Sequence, residues 1–130
     1  MDKKFYITTP IYYPSAKPHM GHAYSSIIAD FFARFKRMDG FDVQFLTGTD
    51  EHGLKIQRSA EKQNIDPLEF CNNISQTFRD LSKTLNLTNT DFIRTTEDRH
   101  KKTVQHLWNE LAKNDDIYLS KYSGWYSVSD

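Results

Sequence analysis

Two histidines three residues apart, His19 and His22, are the first candidates for chemistry in this sequence. They fall where a helix is predicted to begin, and a helix N-terminus presents unpaired N–H groups that attract anions. Residues three apart share a helical face, so both imidazoles can point toward one anion. Gly21, between them, has no side chain to keep a flat group away from the backbone. This pattern suits a triphosphate undergoing displacement at phosphorus; the alternative is two exposed histidines that bind nothing.

A second polar segment, residues 48–53, holds two carboxylates and a histidine between two glycines. An acid at this place could hold the ammonium group of a substrate through a charge-assisted hydrogen bond. Alternatively, Asp50 or Glu51 caps the helix that follows. A metal site is a third interpretation, with His19, His22, Asp50 and His52 as ligands, but the histidine spacing is not that of the familiar zinc motif.

A strand–helix–strand unit is predicted to position both segments. Residues 4–9 are rich in aromatic and β-branched types and predict a buried strand, followed by a proline-rich loop over residues 10–18. A helical stripe covers residues 20–38 and ends at Gly40, and residues 41–49 predict a second strand. Such a βαβ unit has parallel strands, and ligands bind at their carboxyl ends, where both polar segments lie.

The rest of the chain predicts further helices. One helix is expected over residues 54–63, and a second begins at Asp66-Pro67, an N-cap acid followed by proline at the first helical position. Residues 91–95 are interpreted as a connector and residues 96–98 as the start of another helix. The aromatic tail, residues 117–130, is interpreted as short strands that pack rather than stack on bases.

Length and composition limit the class of protein. With 130 residues, 38% hydrophobic and 26% charged, the chain suits one ordinary domain with a core and not a disordered segment. Its 17 basic and 17 acidic residues cancel, which disfavours non-specific binding along a nucleic acid. The basic run at residues 99–102 is interpreted as a solvated face. The single cysteine, Cys71, is expected to be buried and inert. Because no apolar run approaches a membrane span, we expect a soluble, intracellular protein.

Beyond these patterns, the chain resembles the methionyl-tRNA synthetases, which are class I aminoacyl-tRNA synthetases. His-Met-Gly-His is similar to the class I signature His-Ile-Gly-His, which other synthetases and small nucleotidyltransferases share. The flanking blocks are more specific for the methionine family. The resemblance covers nearly the whole chain, through TTPIYYP (residues 8–14), PHMGHAY (18–24), FLTGTDEHG (45–53), DFIRTTE (91–97) and GWYSV (124–128).

The resemblance implies an ATP-dependent ligase. Methionine would be activated to methionyl-adenylate and then transferred to tRNA(Met), with Mg²⁺ expected alongside ATP. By matching positions, His19 and His22 are the implied catalytic and ATP-binding residues, with Gly21 under the adenine. Ile11, Tyr13 and Asp50 are the implied methionine-binding residues, Asp50 through the α-amino group. A cytoplasmic location is expected.

The resemblance also implies a fold and its limits. The expected class is α/β, with residues 1–116 as the N-terminal half of a class I Rossmann catalytic domain and residues 117–130 as the start of the connective-peptide insertion. Residues 127–130 read Ser-Val-Ser-Asp, so the cysteines that bind zinc in many relatives are not found there and zinc is not supported. These 130 residues contain no Lys-Met-Ser-Lys-Ser signature and no anticodon-binding domain, so this stretch by itself is expected to be inactive. The alternatives are a small nucleotidyltransferase and a non-catalytic binding module.

Overall fold

A computed structural model describes residues 3–125 and 127 of the chain. Within them it forms three strands and four helices, alternating for most of the chain. They are β1 (Lys4–Thr8), α1 (Met20–Met38), β2 (Asp42–Thr49), α2 (Leu54–Gln63), α3 (Pro67–Thr84), β3 (Asp91–Arg94) and α4 (Asp98–Lys113). The predicted helix over residues 20–38 and the helix over residues 54–63 are confirmed.

The strands form one parallel sheet in the order β1-β2-β3. Phe5 pairs with Val43 across the first pair of strands, and Leu46 pairs with Asp91 across the second. The predicted βαβ unit and the α/β class are therefore confirmed. Since all three strands run in one direction, their carboxyl ends meet at one edge, where the segments after β1 and β2 both lie.

The sheet corrects two of the sequence interpretations. Residues 91–95, interpreted as a connector, contain β3, whose Phe92 is buried. The strand β1, expected to be buried, alternates between exposed and half-buried residues, and its Tyr6 is exposed. The reason is that only one face of β1 is covered: Phe5 and Ile7 pack against the core cluster formed by α1 and β2, and the residues that alternate with them lie on the open face.

The last part of the described chain also differs from expectation. No strand is found over residues 117–125, where a strand-like tail was predicted, and Tyr118, Leu119, Tyr122 and Trp125 are exposed. Tyr126 and residues 128–130 lie outside the described residues. The helix α4 buries none of its residues, so its apolar stripe, which includes Trp108, is open to solvent. None of the described helices is both long and apolar enough to cross a membrane.

Buried residues form three core clusters in the described part of the chain. Ala29 and Ala33 of α1 pack against Val43 and Phe45 of β2. A second cluster joins α2 to α3 and contains Cys71, which is buried as predicted. Burial, together with the nearby Glu51 carboxylate, raises the pKa of the Cys71 thiol to about 11, so this cysteine remains a protonated thiol at neutral pH.

Gly48 is the position in the sheet where a side chain has no room. A Cβ built there would lie 2.0 Å from the carbonyl oxygen of Ile93, which belongs to the paired backbone of β3. We expect Gly48→Ala to push β3 away and lower the free energy of unfolding by about 1–3 kcal/mol or more, as for other overpacked sites. Urea denaturation measures this loss. Gly124→Ala is the control, because the nearest atoms there belong to the flexible Tyr122 side chain; equal unfolding midpoints for the two variants would contradict the prediction.

Candidate functional site

The two histidines close the first turn of α1 by capping each other. His19 is the N-cap residue, and its Nδ1 accepts a hydrogen bond from the Gly21 N–H at 3.1 Å. In return, Nδ1 of His22 accepts from the His19 N–H at 3.0 Å. This is the geometry of a capping box, with imidazoles in place of the usual hydroxyl and carboxylate. The predicted shared face is confirmed, since the two ring centroids are 3.9 Å apart.

The reciprocal cap determines which ring nitrogen carries the proton. Each Nδ1 accepts from a backbone N–H, so in the neutral imidazole the hydrogen must lie on Nε2. Both histidines therefore present an Nε2–H donor, at a helix end that already favours negative charge. Gly21 is needed for the same capping arrangement, because a Cβ there would lie 2.9 Å from Cε1 of His19 and displace the capping ring.

His22 is held in an aromatic box. The ring of Tyr12 meets it edge-on at 4.7 Å between centroids, and the ring of Phe78 meets it at 5.0 Å. Burial lowers the pKa of His22, and the neighbouring His19 lowers it further, so the neutral donor form is favoured at physiological pH.

The loop after β1 is attached to the end of β2 through Tyr12. The Tyr12 N–H donates to the carbonyl of Gly48, and the Tyr12 carbonyl accepts from the Asp50 N–H, each at 2.9 Å. This bridge places the neighbours of Tyr12 in an open cleft of about 400 Å³. Ile11, Tyr13, His19 and His22 all line that cleft, so four of the predicted site residues come together.

Asp50 is joined to this cleft through the Tyr12 bridge without lining it. Its carboxylate is half-buried, and Oδ1 lies 3.5 Å from the Thr95 hydroxyl. Among residues 3–125 and 127, Asp50 takes part in no salt bridge. A half-buried carboxylate without a cation of its own is suited to receive an ammonium group from outside.

Glu51, beside it in the chain, has a different role. Its side chain is fully buried and forms a two-point ion pair with Arg94, at 2.7 Å to Nε and 2.9 Å to Nη2. The hydroxyls of Thr49 and Thr96 donate to the same carboxylate. The idea that Asp50 or Glu51 caps the next helix is wrong, because the N-cap of α2 is Gly53 and no side chain caps it.

The metal alternative gains no support in the described part of the chain, where no group of three or more His, Cys, Asp or Glu residues could hold an ion. His52 turns toward the carbonyl of Thr95, with Nε2 at 3.3 Å, and lines a separate cleft of about 210 Å³ with His100. In the basic run at residues 99–102, Arg99 forms salt bridges with Asp91 and Glu97 on the surface, as expected for a solvated face.

Tyr12, Phe78 and Arg94 are the residues that sequence reasoning missed. Nothing local marks them, since Phe78 and Arg94 come from distant segments and Tyr12 stands between two residues that were identified. One signal could have identified Tyr12. Successive side chains of an extended segment point to opposite sides, so if Ile11 and Tyr13 face a ligand, Tyr12 faces the core.

Comparison with known proteins places this geometry in a family. The model of the family described as tRNA synthetases class I (M) matches residues 5–130. A methionine–tRNA ligase of Listeria monocytogenes is 56% identical over 126 residues, which is 97% of this chain and 19% of that protein. A mitochondrial methionine–tRNA ligase of Takifugu rubripes is 54% identical over 129 residues, 99% of this chain and 22% of that protein.

A solved structure gives the same result at the level of the fold. The methionyl-tRNA synthetase of Mycobacterium tuberculosis, bound by methionyl-adenylate, superimposes with a TM-score of 0.92 at 47% identity, covering 97% of this chain and 25% of that one. The predicted class I synthetase fold is thereby confirmed. The chain spans about a fifth to a quarter of the length of these relatives. Because the family model matches almost every residue, the chain belongs to the methionyl-tRNA synthetase family of class I synthetases and corresponds to its N-terminal region.

Proposed function

We propose that the protein carrying this chain is a methionine–tRNA ligase. A carboxylate oxygen of methionine attacks the α-phosphorus of ATP, the bond from that phosphorus to the bridging oxygen of the β-phosphate breaks, and pyrophosphate leaves. A hydroxyl of the 3′-terminal ribose of tRNA(Met) then attacks the methionyl carbonyl and releases AMP. The observation that carries the proposal is the meeting of two unlike sites at one sheet edge: a pair of Nε2–H donors on α1 and, after β2, the Asp50 carboxylate, which takes part in no salt bridge among the described residues.

His19 and His22 are the proposed catalytic and ATP-binding residues. Charge on the phosphate oxygens rises as the bond to pyrophosphate breaks, and fixed donors that are already oriented stabilise it without reorganisation. The orientation that the reciprocal cap gives them is suited to this task, because a donor held by a backbone hydrogen bond keeps its direction through the reaction. Gly21, between them, leaves the backbone open for the adenine.

Ile11, Tyr13 and Asp50 are the proposed methionine-binding residues. Asp50 would receive the α-ammonium group, and Ile11 and Tyr13 would shape an apolar wall for the side chain. The Tyr12 bridge keeps these residues next to the phosphate donors, which supports in-line attack by the methionine carboxylate. An apolar wall of this kind separates similar side chains by only about 1–3 kcal/mol.

Several finer features belong to the same proposal. Mg²⁺ would accompany ATP and be held through the triphosphate oxygens, and we propose neither a magnesium nor a zinc ligand among the described residues. Residues 1–116 are the proposed N-terminal half of the catalytic domain, and residues 117–130 the start of the connective insertion. The bacterial relatives are the basis for proposing a cytoplasmic location, with organellar import as the alternative that the Takifugu relative represents.

Replacement of Asp50 tests the proposed function. In the full-length protein, Asp50→Asn keeps the shape but removes the charge that would meet the ammonium group. Loss of one charge-assisted hydrogen bond, about 1.5–3 kcal/mol, should weaken methionine binding by roughly 10- to 150-fold. The affinity for ATP should change much less. Methionine-dependent ATP–pyrophosphate exchange gives both Michaelis constants.

Asp80→Asn is the matched control, since Asp80 is exposed on α3, where its carboxylate accepts a hydrogen bond from Gln76 and pairs with Lys83. Equal losses for methionine and ATP would refute the role of Asp50. The nucleotidyltransferase alternative predicts exchange that depends on a phosphate ester instead of methionine, and the negative charge of the Asp50 carboxylate disfavours such an anion. The binding-module alternative predicts no exchange at all.

A further inference from the structure

We propose that Tyr12 is a positioning residue that fixes His22 and Asp50 relative to each other. The inference rests on the proposed function and adds a residue that neither motif contains. Tyr12 lies in the loop between the first strand and the first helix, and it contacts both parts of the candidate site. It lines the same cleft as Ile11 and Tyr13, yet it is only 8% exposed, whereas they are 37% and 57% exposed.

The side chain of Tyr12 holds the first turn of α1. Its ring meets the His22 ring edge-on and stacks on Phe78 at 5.5 Å between centroids. Its hydroxyl donates to the His22 carbonyl at 3.3 Å and forms a 3.0 Å hydrogen bond with the buried Ser26 hydroxyl. The His22 ring, its backbone and the next turn of the helix are therefore all tied to one phenol.

The backbone of Tyr12 holds the other half of the site. It forms a parallel bridge with Thr49 at the end of β2, made by the bonds to the Gly48 carbonyl and the Asp50 N–H. A shift of the phenol therefore moves the histidine donor relative to the carboxylate that would hold the substrate ammonium. In a reaction that depends on alignment, such a shift reduces the rate more than it weakens binding of either substrate.

The specific consequence is that the hydroxyl of Tyr12 acts through His22. Tyr12→Phe retains the ring contacts and removes both hydrogen bonds of the hydroxyl. We expect kcat of adenylation to fall about tenfold, which corresponds to one or two neutral hydrogen bonds, with the Michaelis constants for methionine and ATP changed less than kcat. In a His22→Ala background the same change should have no further effect.

The experiment is a double-mutant cycle on the full-length protein, measured by single-turnover adenylate formation. Tyr6→Phe is the matched control, because Tyr6 is exposed on β1. A tenfold loss that vanishes in the His22→Ala background supports the proposal, since a merely structural tyrosine would cost the same in both backgrounds. A loss of equal size in both, or no loss in either, overturns it. If Tyr12→Phe does not fold, Ser26→Ala replaces it in the same cycle, because it removes one of the two partners of the hydroxyl.

A second measurement does not depend on activity, so that failure of the proposed function is distinguished from failure of this inference. The titration of the His22 ring is followed by NMR in the full-length protein and in Tyr12→Ala. Loss of the covering ring should expose His22 and raise its pKa toward the ordinary value, since burial is the larger of the two causes that lower it and His19 is the smaller. An unchanged His22 titration refutes the proposed contact even in a protein that shows no methionine-dependent exchange. In such a protein, a raised pKa of His22 in Tyr12→Ala still supports the contact between Tyr12 and His22.

Discussion

Replacing Glu51 by alanine should reduce the free energy of unfolding by about 3–5 kcal/mol, the usual cost of removing one partner of a buried ion pair. The Glu51 side chain is 0% exposed and that of Arg94 is 19% exposed. Without the carboxylate, the side-chain acceptor that Arg94 keeps among the described residues is the Asn72 amide oxygen at 2.7 Å, and the hydroxyl of Thr96 loses the Glu51 carboxylate. The loss approaches the whole stability of a small domain, so we expect little folded protein. Urea denaturation followed by circular dichroism measures it.

Two further variants separate charge from shape. Glu61→Ala is the control, because Glu61 is exposed on α2, where its carboxylate accepts a hydrogen bond from Gln57. Its effect on the free energy of unfolding should be within about 0.5 kcal/mol. Glu51→Gln retains the side-chain volume but loses the charge. Its loss in the free energy of unfolding should lie between those of Glu51→Ala and Glu61→Ala. If Glu51→Ala and Glu61→Ala unfold at the same urea concentration, the ion pair does not hold the sheet edge together.

The same pair predicts how stability depends on pH. Burial raises the pKa of Glu51, but the hydrogen bonds from Arg94, Thr96 and Thr49 outweigh it, and the net shift is downward. A carboxyl whose pKa is lower in the folded state stabilises the fold above its unfolded pKa, about 4.3, and this contribution is lost as the pH falls through the folded value. Glu51→Gln should therefore weaken the dependence of stability on pH below about 5.

The local parts of the fold could be predicted from the sequence, and the reason is periodicity. The stripe of α1 repeats with the helical period and its ends are marked, so its bounds at Met20 and Met38 could be predicted. The N-cap of α3 follows from Asp66 and Pro67 in the same way, and Asp66 does accept from the N–H groups of Leu68 and Glu69. From these helices and two strands, the edge where the site lies follows by topology alone.

What the sequence could not predict depends on partners far along the chain. The strand β3 is four residues long and is a strand because Leu46 to Thr49 pair with it, which no local pattern reports. Glu51 and Arg94 are separated by 43 positions, so the acid in the motif looked equivalent to its neighbour Asp50. The inward orientation of Tyr12 is likewise set by its bridge to Thr49.

The largest effect on catalysis is expected at His22, and the capping geometry allows it to be measured without loss of the helix start. Because His22 occupies the N3 position of a capping box, glutamate or glutamine can accept the His19 N–H in its place. Glutamate, however, presents a negative acceptor where the imidazole presents an Nε2–H donor. His22→Glu should therefore retain α1 yet lower kcat/KM of adenylation by roughly 10²–10³-fold, the typical effect of losing one donor to a developing oxyanion.

His22→Gln distinguishes the loss of the hydrogen-bond donor from the loss of the helix cap. His22→Gln keeps the cap and offers an amide N–H₂, so its loss should be smaller than that of His22→Glu, while His22→Ala should lose both rate and helix stability. His106→Ala on the exposed face of α4 is the matched histidine control and should be neutral. Methionine affinity should stay near that of the wild type in all of them, because the ammonium site depends on Asp50. If glutamate and glutamine reduce the rate equally while the unfolding midpoint stays constant, the imidazole is not donating to the phosphate. The role of His22 would then be confined to holding the first turn of α1.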